Sequence, residues 1–428
     1  MEIQQLYQQI KASAGVSTDT RSIKPGMVFF ALKGDTFDAN EFVQQAVDAG
    51  ASIVVTQNAA FSNHPACFYT PDTLKTLQEV AAMRRNQLKS VVIGITGTNG
   101  KTTTKELIRE ALSAAGTVQS TQGNLNNHIG VPLTLLSIKD DTKFAIVEMG
   151  ANHPGEIEFL CNIARPDYGI ITNIGRAHLE GFGSFEGVIN TKTELYKFIR
   201  ENNGNIFVNE DDPLLISLSE DQNRILYGTK SLDATVANDG NPYLRCHWSY
   251  NNEKYFTEIK LTGYYNLPNL LAAIAIGLHF GADPKELNRK LSEYTPSNMR
   301  SQWMETGRNH LILDAYNANP SSMAVALRNF ALLQTEKKLP VLGDMLELGS
   351  YSDDEHHVIL ELLTELKFTA AVLVGPEFSK FRNEFPAFLF FNDTTEARTA
   401  LTKNVVNNYT VLLKGSRGIG VDGLKDIF

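Results

Sequence analysis

The sequence predicts an α/β protein in which helices cover parallel sheets. Short apolar runs, such as residues 91–95 and 144–147, are typical of buried parallel strands. Segments with helical periodicity alternate with these runs, and that alternation favours a parallel sheet with helices on both faces. A length of 428 residues argues for two to four domains, and we expect three.

The first predicted unit spans residues 1–87 and is a small α/β domain. It contains apolar runs at residues 28–32 and 53–55, with a helical pattern at residues 40–49. A second helical pattern, at residues 73–87, ends in basic residues and would connect this unit to the next one.

The second predicted unit spans residues 88–296 and contains the strand pattern of a parallel sheet. Its predicted strands are residues 91–95, 144–147 and 168–171, and a helix is predicted at residues 103–115. Residues 266–280 are apolar nearly all round, which predicts a buried helix too short to span a bilayer.

The third predicted unit, residues 297–428, follows a turn-rich break at residues 294–298 and resumes the alternation. We predict strands at residues 310–313, 340–342, 371–374 and 411–413, and helices at residues 321–333, 353–366 and 394–406. This unit is a second nucleotide-fold-like α/β domain.

Composition narrows the possible partners and compartments. Lys and Arg number 39 against 48 Asp and Glu, a net charge of −9 that argues against binding nucleic acid or an anionic membrane by bulk charge. Three separated cysteines exclude a disulfide framework and a cysteine zinc site, and they suit a reducing cytosol. No apolar run approaches about 18 residues, and residues 1–9 lack the pattern of a signal peptide. We therefore expect a cytoplasmic protein without a membrane span.

Residues 96–102 (TGTNGKT) have the composition of a phosphate-binding loop between a strand and a helix. Glycines let backbone N–H groups converge on phosphate oxygens, Lys101 would neutralise those oxygens, and the Thr102 hydroxyl would bind Mg²⁺. The common spacing requires Gly at position 95, where this chain has Ile95, with Gly94 one place early. A chance glycine-rich turn is the alternative, but the strand–loop–helix context predicts a nucleoside triphosphate site.

Three further residues could extend this site. Glu148 ends an apolar strand, where a carboxylate could hold Mg²⁺ opposite Thr102, although such a residue is often only solvated or capping. His178 follows another strand, on the edge where parallel sheets bind ligands. Lys192 would by default be a surface lysine, and nothing in its periodicity indicates otherwise.

Several strings resemble the Mur ligases, the ATP-dependent amino-acid or peptide ligases of peptidoglycan synthesis. They are residues 96–103 (TGTNGKTT), 148–151 (EMGA) and 173–180 (NIGRAHLE). Other strings are similar to the members of this family that join D-alanyl-D-alanine to a UDP-N-acetylmuramoyl-tripeptide: residues 18–21 (TDTR), 31–34 (ALKG), 123–127 (GNLNN), 129–132 (IGVP), 178–184 (HLEGFGS), 316–320 (YNANP), 342–349 (LGDMLELG) and 414–417 (KGSR).

The resemblance implies a three-domain Mur ligase architecture. The N-terminal domain would bind the UDP-sugar peptide, the central domain ATP, and the Rossmann-like C-terminal domain the incoming dipeptide. ATP would phosphorylate the tripeptide carboxylate to an acyl phosphate, which the dipeptide amine attacks with release of phosphate. We expect a monomer that uses two Mg²⁺ ions.

Roles in the site follow from the same resemblance. The phosphate loop would be formed by Thr96, Gly97, Thr98, Asn99, Gly100, Lys101, Thr102 and Thr103, with Asn266 and Asn269 near the adenine and Arg300 and Asp314 as further nucleotide contacts. Thr102 and Glu148 would bind one Mg²⁺, and His178 and Lys192 the second. Lys192 would be carbamylated, which turns a cation into an anion able to bind metal.

Substrate contacts are implied in all three units. Thr20, Arg21, Lys33 and Gly34 would approach the uridine diphosphate, with an exposed basic turn as the alternative. Asn126, Asn127 and His128 would line the peptide-sugar channel. Tyr316, Asn317 and Asn319 would face the dipeptide or the reacting centre, with a simple Asn-Pro turn as the alternative. We count Lys101, His178, Lys192 and Asn317 as catalytic candidates. Tyr265 stands where relatives often carry His, and its role stays open.

Two other functions remain open at this point. Within the family, the chain could add the third residue or resemble a folylpolyglutamate-type ligase, although the Asp-Asn-Pro-Arg string of the diaminopimelate-adding enzymes is absent. From a different class, it could be a phosphate-loop switch or binding module without ligase activity. The combination of Glu148, His178 and Lys192 with a complete third unit favours a ligase.

Overall fold

The computed structural model describes residues 2–237 and 240–428. The first unit has a four-stranded parallel sheet in the order β1-β2-β3-β4. Its elements are α1 (Ile3–Ala12), β1 (Val16–Ser17), β2 (Val28–Phe30), α2 (Val43–Asp48), β3 (Ile53–Thr56), β4 (Cys67–Tyr69) and α3 (Thr73–Gln87). The Asp72 side chain accepts a hydrogen bond from Lys75 N and so caps α3, whose bounds match the predicted helix.

The second unit has a six-stranded parallel sheet in the order β10-β9-β8-β5-β7-β6. Its elements are β5 (Val91–Thr96), α4 (Lys101–Leu112), β6 (Val118–Ser120), α5 (Gly130–Ser137), β7 (Phe144–Glu148), α6 (Glu156–Ala164), β8 (Tyr168–Ile171), α7 (Leu179–Phe182), α8 (Phe185–Glu201), β9 (Asn205–Asn209), α9 (Pro213–Ser217) and β10 (Arg224–Tyr227). Separate buried clusters lie on the two faces of this sheet, as a parallel sheet covered by helices requires.

The remaining strands form a nine-stranded mixed sheet in the order β11-β12-β13-β14-β15-β19-β16-β17-β18. Its elements are β11 (Thr235–Val236), β12 (Tyr243–Tyr250), β13 (Glu253–Thr262), α10 (Leu267–His279), α11 (Pro284–Glu293), β14 (Gln302–Glu305), β15 (His310–Asp314), α12 (Pro320–Leu332), β16 (Lys338–Gly343), α13 (Ser352–Glu365), β17 (Val372–Val374), α14 (Pro376–Ser379), β18 (Leu389–Phe391), α15 (Thr394–Lys403) and β19 (Thr410–Lys414). Strands β11 to β15 pair antiparallel, whereas β15, β19, β16, β17 and β18 pair parallel.

The mixed sheet connects the second and third predicted units. Strands β12 and β13 pack Leu244, Trp248 and Ile259 into the same buried cluster as α4 and α10, so their apolar faces belong with the second unit. Leu261 of β13 also pairs with Gln302 of β14, across the predicted boundary at residue 296. The predicted strands did not include β1, β4, β6, β9, β10, β11–β14 or β18, and the boundaries at residues 87 and 296 remain predictions.

Candidate functional site

A cavity of about 1180 Å³ lies between the six-stranded sheet and the third unit. It opens at the carboxyl ends of β5, β7 and β8, the edge at which parallel sheets bind ligands. The predicted site residues along its wall are Thr98, Asn99, Gly100, Lys101, Thr102, Thr103, Asn126, Asn127, His128, Glu148, His178, Asn266, Asn269, Arg300, Asp314, Tyr316, Asn317 and Asn319. Thr98 and Asn319, which are 221 positions apart in the sequence, therefore share one cavity.

The phosphate loop is held by the segment that follows β8. Gly97 has φ +142°, and a Cβ atom there would lie 2.1 Å from Thr172 Oγ1, so only glycine fits. Thr98 N donates to Asn173 O at 2.9 Å. Thr96 and Gly97 lead into the loop from β5, and helix α4 begins at Lys101, so its N-terminus adds a favourable dipole for an anion.

The unusual position of Gly94 has a packing explanation. Gly94 lies inside β5, and a Cβ atom there would be 2.6 Å from Met149 Cε and 3.0 Å from Pro166 Cβ. Ile95 is fully buried in the adjacent core. Gly94 therefore serves strand packing, and Gly97 and Gly100 are the glycines of the loop.

Lys101 lies folded against the loop. Its Nζ donates to Gly97 O at 2.7 Å and to Thr98 O at 3.1 Å. Burial lowers the pKa of Lys101 to about 8; the carboxylate of Glu148 opposes this shift, and the charge of Arg300 adds to it. An ammonium group that burial destabilises gains more electrostatic stabilisation from an anionic phosphate than an exposed ammonium group does.

Glu148 ends β7 at the base of the cavity and is almost fully buried. Its Oε1 accepts hydrogen bonds from Thr102 Oγ1 at 3.2 Å and from Asn126 Nδ2 at 2.9 Å. Its Oε2 accepts no hydrogen bond from the described residues and lies 3.6 Å from Lys105 Nζ. Thr102 and Glu148 thus supply hard oxygen donors of the kind that Mg²⁺ prefers.

His178 lies between the two units. Its backbone is left-handed, with φ +51°, and its Nδ1 contacts Glu347 Oε2 from the loop after β16. Burial lowers the pKa of His178; Glu347 opposes this shift, and the charges of Lys101 and Lys192 add to it. The neutral imidazole is therefore favoured.

Lys192 is buried in α8, so the surface position expected by default for a lysine is wrong. Its side chain is 2 % exposed, and its Nζ lies 5.3 Å from the Phe182 ring centroid. Burial and the charge of Lys101 lower the pKa of Lys192 to about 7, although Glu194 and Glu156 oppose the shift. It lies behind the cavity wall rather than on it.

Asn266 and Asn269 connect α10 to the phosphate-loop helix. Asn269 Nδ2 donates to Asn266 Oδ1 at 3.0 Å, and Thr104 Oγ1 donates to Asn269 Oδ1 at 2.9 Å. A Cβ atom on Gly100 would lie 2.9 Å from Asn269 Oδ1. Both asparagines thus position α4 and also line the cavity.

Arg300, Asp314 and Tyr316 lie together where the third unit begins. The Arg300 guanidinium stacks over the Tyr316 ring at 4.0 Å, and its buried Nε has no hydrogen-bond partner among the described residues. Asp314 Oδ2 accepts from Lys414 Nζ at 2.7 Å. Arg300 therefore keeps hydrogen-bonding capacity beside the cavity, whereas Asp314 is already paired.

The asparagines after β15 have different environments. The Asn317 backbone carbonyl lies 3.5 Å from Lys414 Nζ. Asn319 is the N-cap of α12, and its Oδ1 accepts from Ser322 N at 2.8 Å. Asn319 Nδ2 also donates to Asn99 Oδ1 at 2.8 Å, so much of its hydrogen-bonding capacity is used within the protein.

Residues 126–128 bring the first unit to the cavity. Asn127 Oδ1 accepts from Gly130 N, the first residue of α5, at 2.9 Å, and the His128 carbonyl accepts from Gln78 Nε2 of α3 at 3.1 Å. Asn126 instead bonds Glu148. This wall of the cavity is therefore continuous with the first unit.

The predicted uridine diphosphate contacts do not line this cavity. Arg21, beside Thr20 in a short turn, pairs with Asp19 at 2.7 Å, and Lys33, beside Gly34, lies 3.4 Å from Asp38. Arg21 holds the pKa of Asp19 at about 2. In this arrangement both basic residues are exposed and locally paired.

Tyr265 lines the cavity as well. Its hydroxyl is within 2.8 Å of Ser301 Oγ, and burial together with Asp314 raises its pKa. The hydroxyl therefore stays protonated and joins α10 to the start of the third unit.

Several side chains at the site were not among the predicted site residues, although three of them lie in the strings that resemble the family: Lys105, Asn173, Glu347, Ser321 and Lys414. Lys105 follows Lys101 by one helical turn, so its place beneath the loop was open to prediction. The others come from distant segments, and nothing in their local sequence indicates their partners.

Among residues 2–237 and 240–428, no helix is both long enough and apolar enough to cross a membrane. The same residues contain no group of three or more His, Cys, Asp or Glu side chains arranged to hold a metal ion. Any divalent ion at Glu148 would consequently need oxygen donors beyond the acidic side chains, such as the Thr102 hydroxyl, water or phosphate.

Comparison with known proteins identifies related chains over nearly the full length. Three family models match: the Mur ligase family catalytic domain over residues 13–90, the Mur ligase middle domain over residues 95–277, and the Mur ligase glutamate ligase domain over residues 299–417. Their order follows the order of the three sheets.

Curated relatives and solved structures agree with these matches. UDP-N-acetylmuramoyl-tripeptide–D-alanyl-D-alanine ligase of Bacillus subtilis (strain 168) is 34% identical over 96% of this chain and 93% of the relative. The protein of the same name from Escherichia coli (strain K12) is 32% identical over 95% and 92%.

Two crystal structures have the same fold. MurF from Acinetobacter baumannii superposes with a TM-score of 0.87 at 29% identity, covering 99% of this chain and 97% of that one. MurF from Thermotoga maritima in complex with ADP has a TM-score of 0.84 at 25% identity, covering 98% and 97%. The three-domain architecture predicted from the sequence is thus confirmed, and the chain belongs to the Mur ligase family.

Proposed function

We propose that this protein joins D-alanyl-D-alanine to a UDP-N-acetylmuramoyl-tripeptide and converts ATP to ADP and phosphate. The observation that carries the proposal is the shared cavity, where the phosphate loop and Glu148 of the second unit face Arg300 and Tyr316 of the third. The relatives of the same length that are named for this reaction support it. As a step in peptidoglycan precursor synthesis, the reaction would take place in the cytoplasm.

The chemistry requires activation of a carboxylate. A tripeptide carboxylate oxygen attacks the γ-phosphorus of ATP, the bond to ADP breaks, and an acyl phosphate forms. The dipeptide amine then attacks the acyl carbon, and phosphate leaves from a tetrahedral intermediate as the amine loses a proton. Catalysis of such steps is mainly positioning and charge neutralisation, for which Lys101 and the loop N–H groups are arranged.

The nucleotide would occupy the loop from Thr96 to Thr103, with Asn266 and Asn269 near the base and Arg300 near the phosphates. The ADP complex of the Thermotoga maritima structure supports a nucleotide in this fold. Arg300 Nε is buried without a partner among the described residues, which leaves a donor for a nucleotide oxygen.

We propose one Mg²⁺ between Thr102 and Glu148, which would neutralise charge on the phosphates when bound. A second ion at His178 and Lys192 needs a chemical change, because an ammonium cannot bind a cation. Carbamylation would convert Lys192 into an oxygen ligand, and burial of this lysine near Lys101 favours the neutral amine, which can attack CO₂ and lose a proton to give the carbamate.

We propose that the UDP end of the substrate binds the first unit near Thr20, Arg21, Lys33 and Gly34. Its peptide would run past Asn126, Asn127 and His128 towards Glu148. The dipeptide would bind beside Tyr316, Asn317 and Asn319. This path requires the boundaries near residues 87 and 296 to separate three substrate-binding units.

Acceptor dependence of phosphate release tests the function. Purified protein should release ADP and phosphate only when the UDP-N-acetylmuramoyl-tripeptide and D-alanyl-D-alanine are both present. Equal turnover with a single free amino acid would favour a ligase for another residue. Turnover without an acceptor would favour a nucleotide-binding module of a different class.

A further inference from the structure

The side chain of Asn99 reaches out of the phosphate loop and is bound at both ends by the third unit. Asn99 Nδ2 donates to Ser321 Oγ at 3.0 Å, and Asn319 Nδ2 donates to Asn99 Oδ1 at 2.8 Å. Ser321 and Asn319 lie 222 and 220 residues further along the chain, at the start of α12. This contact therefore joins the six-stranded sheet of the second unit to the third unit at the phosphate loop.

The backbone of Asn99 is fixed independently of this contact. Asn99 N donates to Asn173 Oδ1 at 3.0 Å, and Asn99 O accepts from Thr172 Oγ1 at 2.6 Å and from Asn173 Nδ2 at 2.9 Å. The second unit thus holds the peptide groups on both sides of Asn99. The amide of the side chain is the part of this residue left to interact with the third unit.

The start of α12 is organised to receive Asn99. Ser321 Oγ donates to Asn319 Oδ1 at 2.9 Å, which leaves its lone pairs for Asn99 Nδ2. A Cβ atom on Gly175 would lie 3.1 Å from Ser321 Oγ, so a glycine permits this close approach. The next serine, Ser322, forms a capping box with Asn319 and does not bond the loop.

We propose that Ser321 and Asn319 are positioning residues of the phosphate loop, through which docking of the third unit raises the affinity of the loop for nucleotide. This inference depends on the proposed function in one respect, namely that the phosphate loop is the nucleotide-binding site. Because Asn99 N already donates to Asn173 Oδ1, the N–H groups that receive the phosphate are those at the start of α4, directly after Asn99, and they converge on it in one loop conformation. By holding the Asn99 amide, α12 stabilises that conformation in the docked arrangement, and by reciprocity bound nucleotide favours docking.

Adjacent serines provide a matched test. Ser321→Ala removes the acceptor for Asn99, whereas Ser322→Ala removes only the capping box inside α12. In the full-length protein, we expect Ser321→Ala to weaken ADP binding about fivefold by titration calorimetry, the effect of one lost neutral hydrogen bond. Ser322→Ala should lower the melting temperature and leave ADP affinity unchanged. Asn319→Ser keeps an N-cap oxygen but is too short to reach Asn99, so it should behave like Ser321→Ala.

A double-mutant cycle completes the test. Since Ser321 acts through Asn99, Ser321→Ala should have no further effect on ADP affinity in an Asn99→Ala background. Additive losses, or equal losses for Ser321→Ala and Ser322→Ala, would overturn the inference. The proposed function fails by a different result, because wild-type protein that binds no ADP contradicts the nucleotide site itself.

Discussion

Lys192 is the residue whose environment differs most from what its own sequence indicates. Its ammonium is buried on α8, beside an aromatic ring and in the field of Lys101. Burying an unpaired charge is costly, so a protein rarely retains one without a use for it. A carbamate at this position would replace the positive charge of Lys192, which is repelled by that of Lys101, and would supply oxygen ligands.

We expect Lys192→Ala to lower ligase turnover at least about a hundredfold, because losing a residue that only supports a metal ligand already costs about 10–100-fold and the carbamate would itself be a ligand. ADP binding should stay largely intact, because Lys192 does not line the cavity. Short-chain carboxylates should partly restore turnover by replacing the carbamate. Lys197→Ala is the control, because Lys197 is on the same helix but exposed, 3.6 Å from Glu158. Failure of the carboxylates to restore any turnover would contradict the carbamate.

Residues that a phosphate-binding loop requires were the easiest to predict from the sequence. The TGTNGKT string specifies Gly97, Lys101 and Thr102, because a phosphate loop admits few alternatives. Gly94 was harder, since its neighbours Met149 and Pro166 are more than fifty residues away in sequence. The partners of Asn99 were inaccessible because they depend on how two units dock.

At the scale of elements, the loop between β16 and α13 presents Glu347 to His178. Asp344, at the start of this loop, accepts from Glu377 N at 2.8 Å and Phe378 N at 3.0 Å, and Met345 N donates to the buried His356 Nε2 at 3.0 Å. The loop is thus anchored at its base. Glu347 itself has φ +63°, a conformation that is unfavourable for a non-glycine residue.

We expect Glu347→Ala to lower kcat/KM about tenfold, because it removes the carboxylate that orients the His178 ring. Glu347→Gln keeps an oxygen that can accept from His178 Nδ1, so much of the activity should remain. Glu355→Gln is the control at the same interface, since Glu355 contacts Arg176 at 3.7 Å and not His178. Steady-state kinetics with varied dipeptide would check this. A glutamine variant as impaired as the alanine variant would instead indicate that the charge of Glu347 binds the substrate amine.

Most helices and several buried parallel strands were predictable because their signals are local. The predicted helix at residues 73–87 and strand at residues 168–171 match the structure, and α10 is buried as expected. Strands β11 to β14 were missed, and so were the parallel strands β1, β4, β6, β9, β10 and β18. In β12 the alternation of Leu244, Cys246 and Trp248 with polar residues is the pattern typical of a half-buried strand, so this strand was open to prediction from the sequence.

At the scale of the whole molecule, the cavity is formed by docking rather than by any single unit. The carboxyl ends of β5, β7 and β8 form its base. The segment before α5 forms one wall, and residues 314–322 cover it. Sequence analysis could predict the three units, since each contains its own strand and helix signals. It could not predict the contacts between them, such as Asn99 with Asn319 or His178 with Glu347, because these have no sequence period.

A ligand that binds at this junction should stabilise both of the units it contacts. With ADP at about one hundred times its dissociation constant, the free energy of unfolding should rise by about 2.7 kcal/mol. We therefore expect hydrogen exchange to slow in peptides covering residues 96–103 and also residues 314–322, while the sheet of β1 to β4 stays unchanged. Lys101→Ala, which removes the phosphate-binding ammonium, is the control and should abolish the protection. Protection confined to residues 96–103 would mean that nucleotide orders the loop without drawing the third unit onto it, which contradicts a site shared between the two.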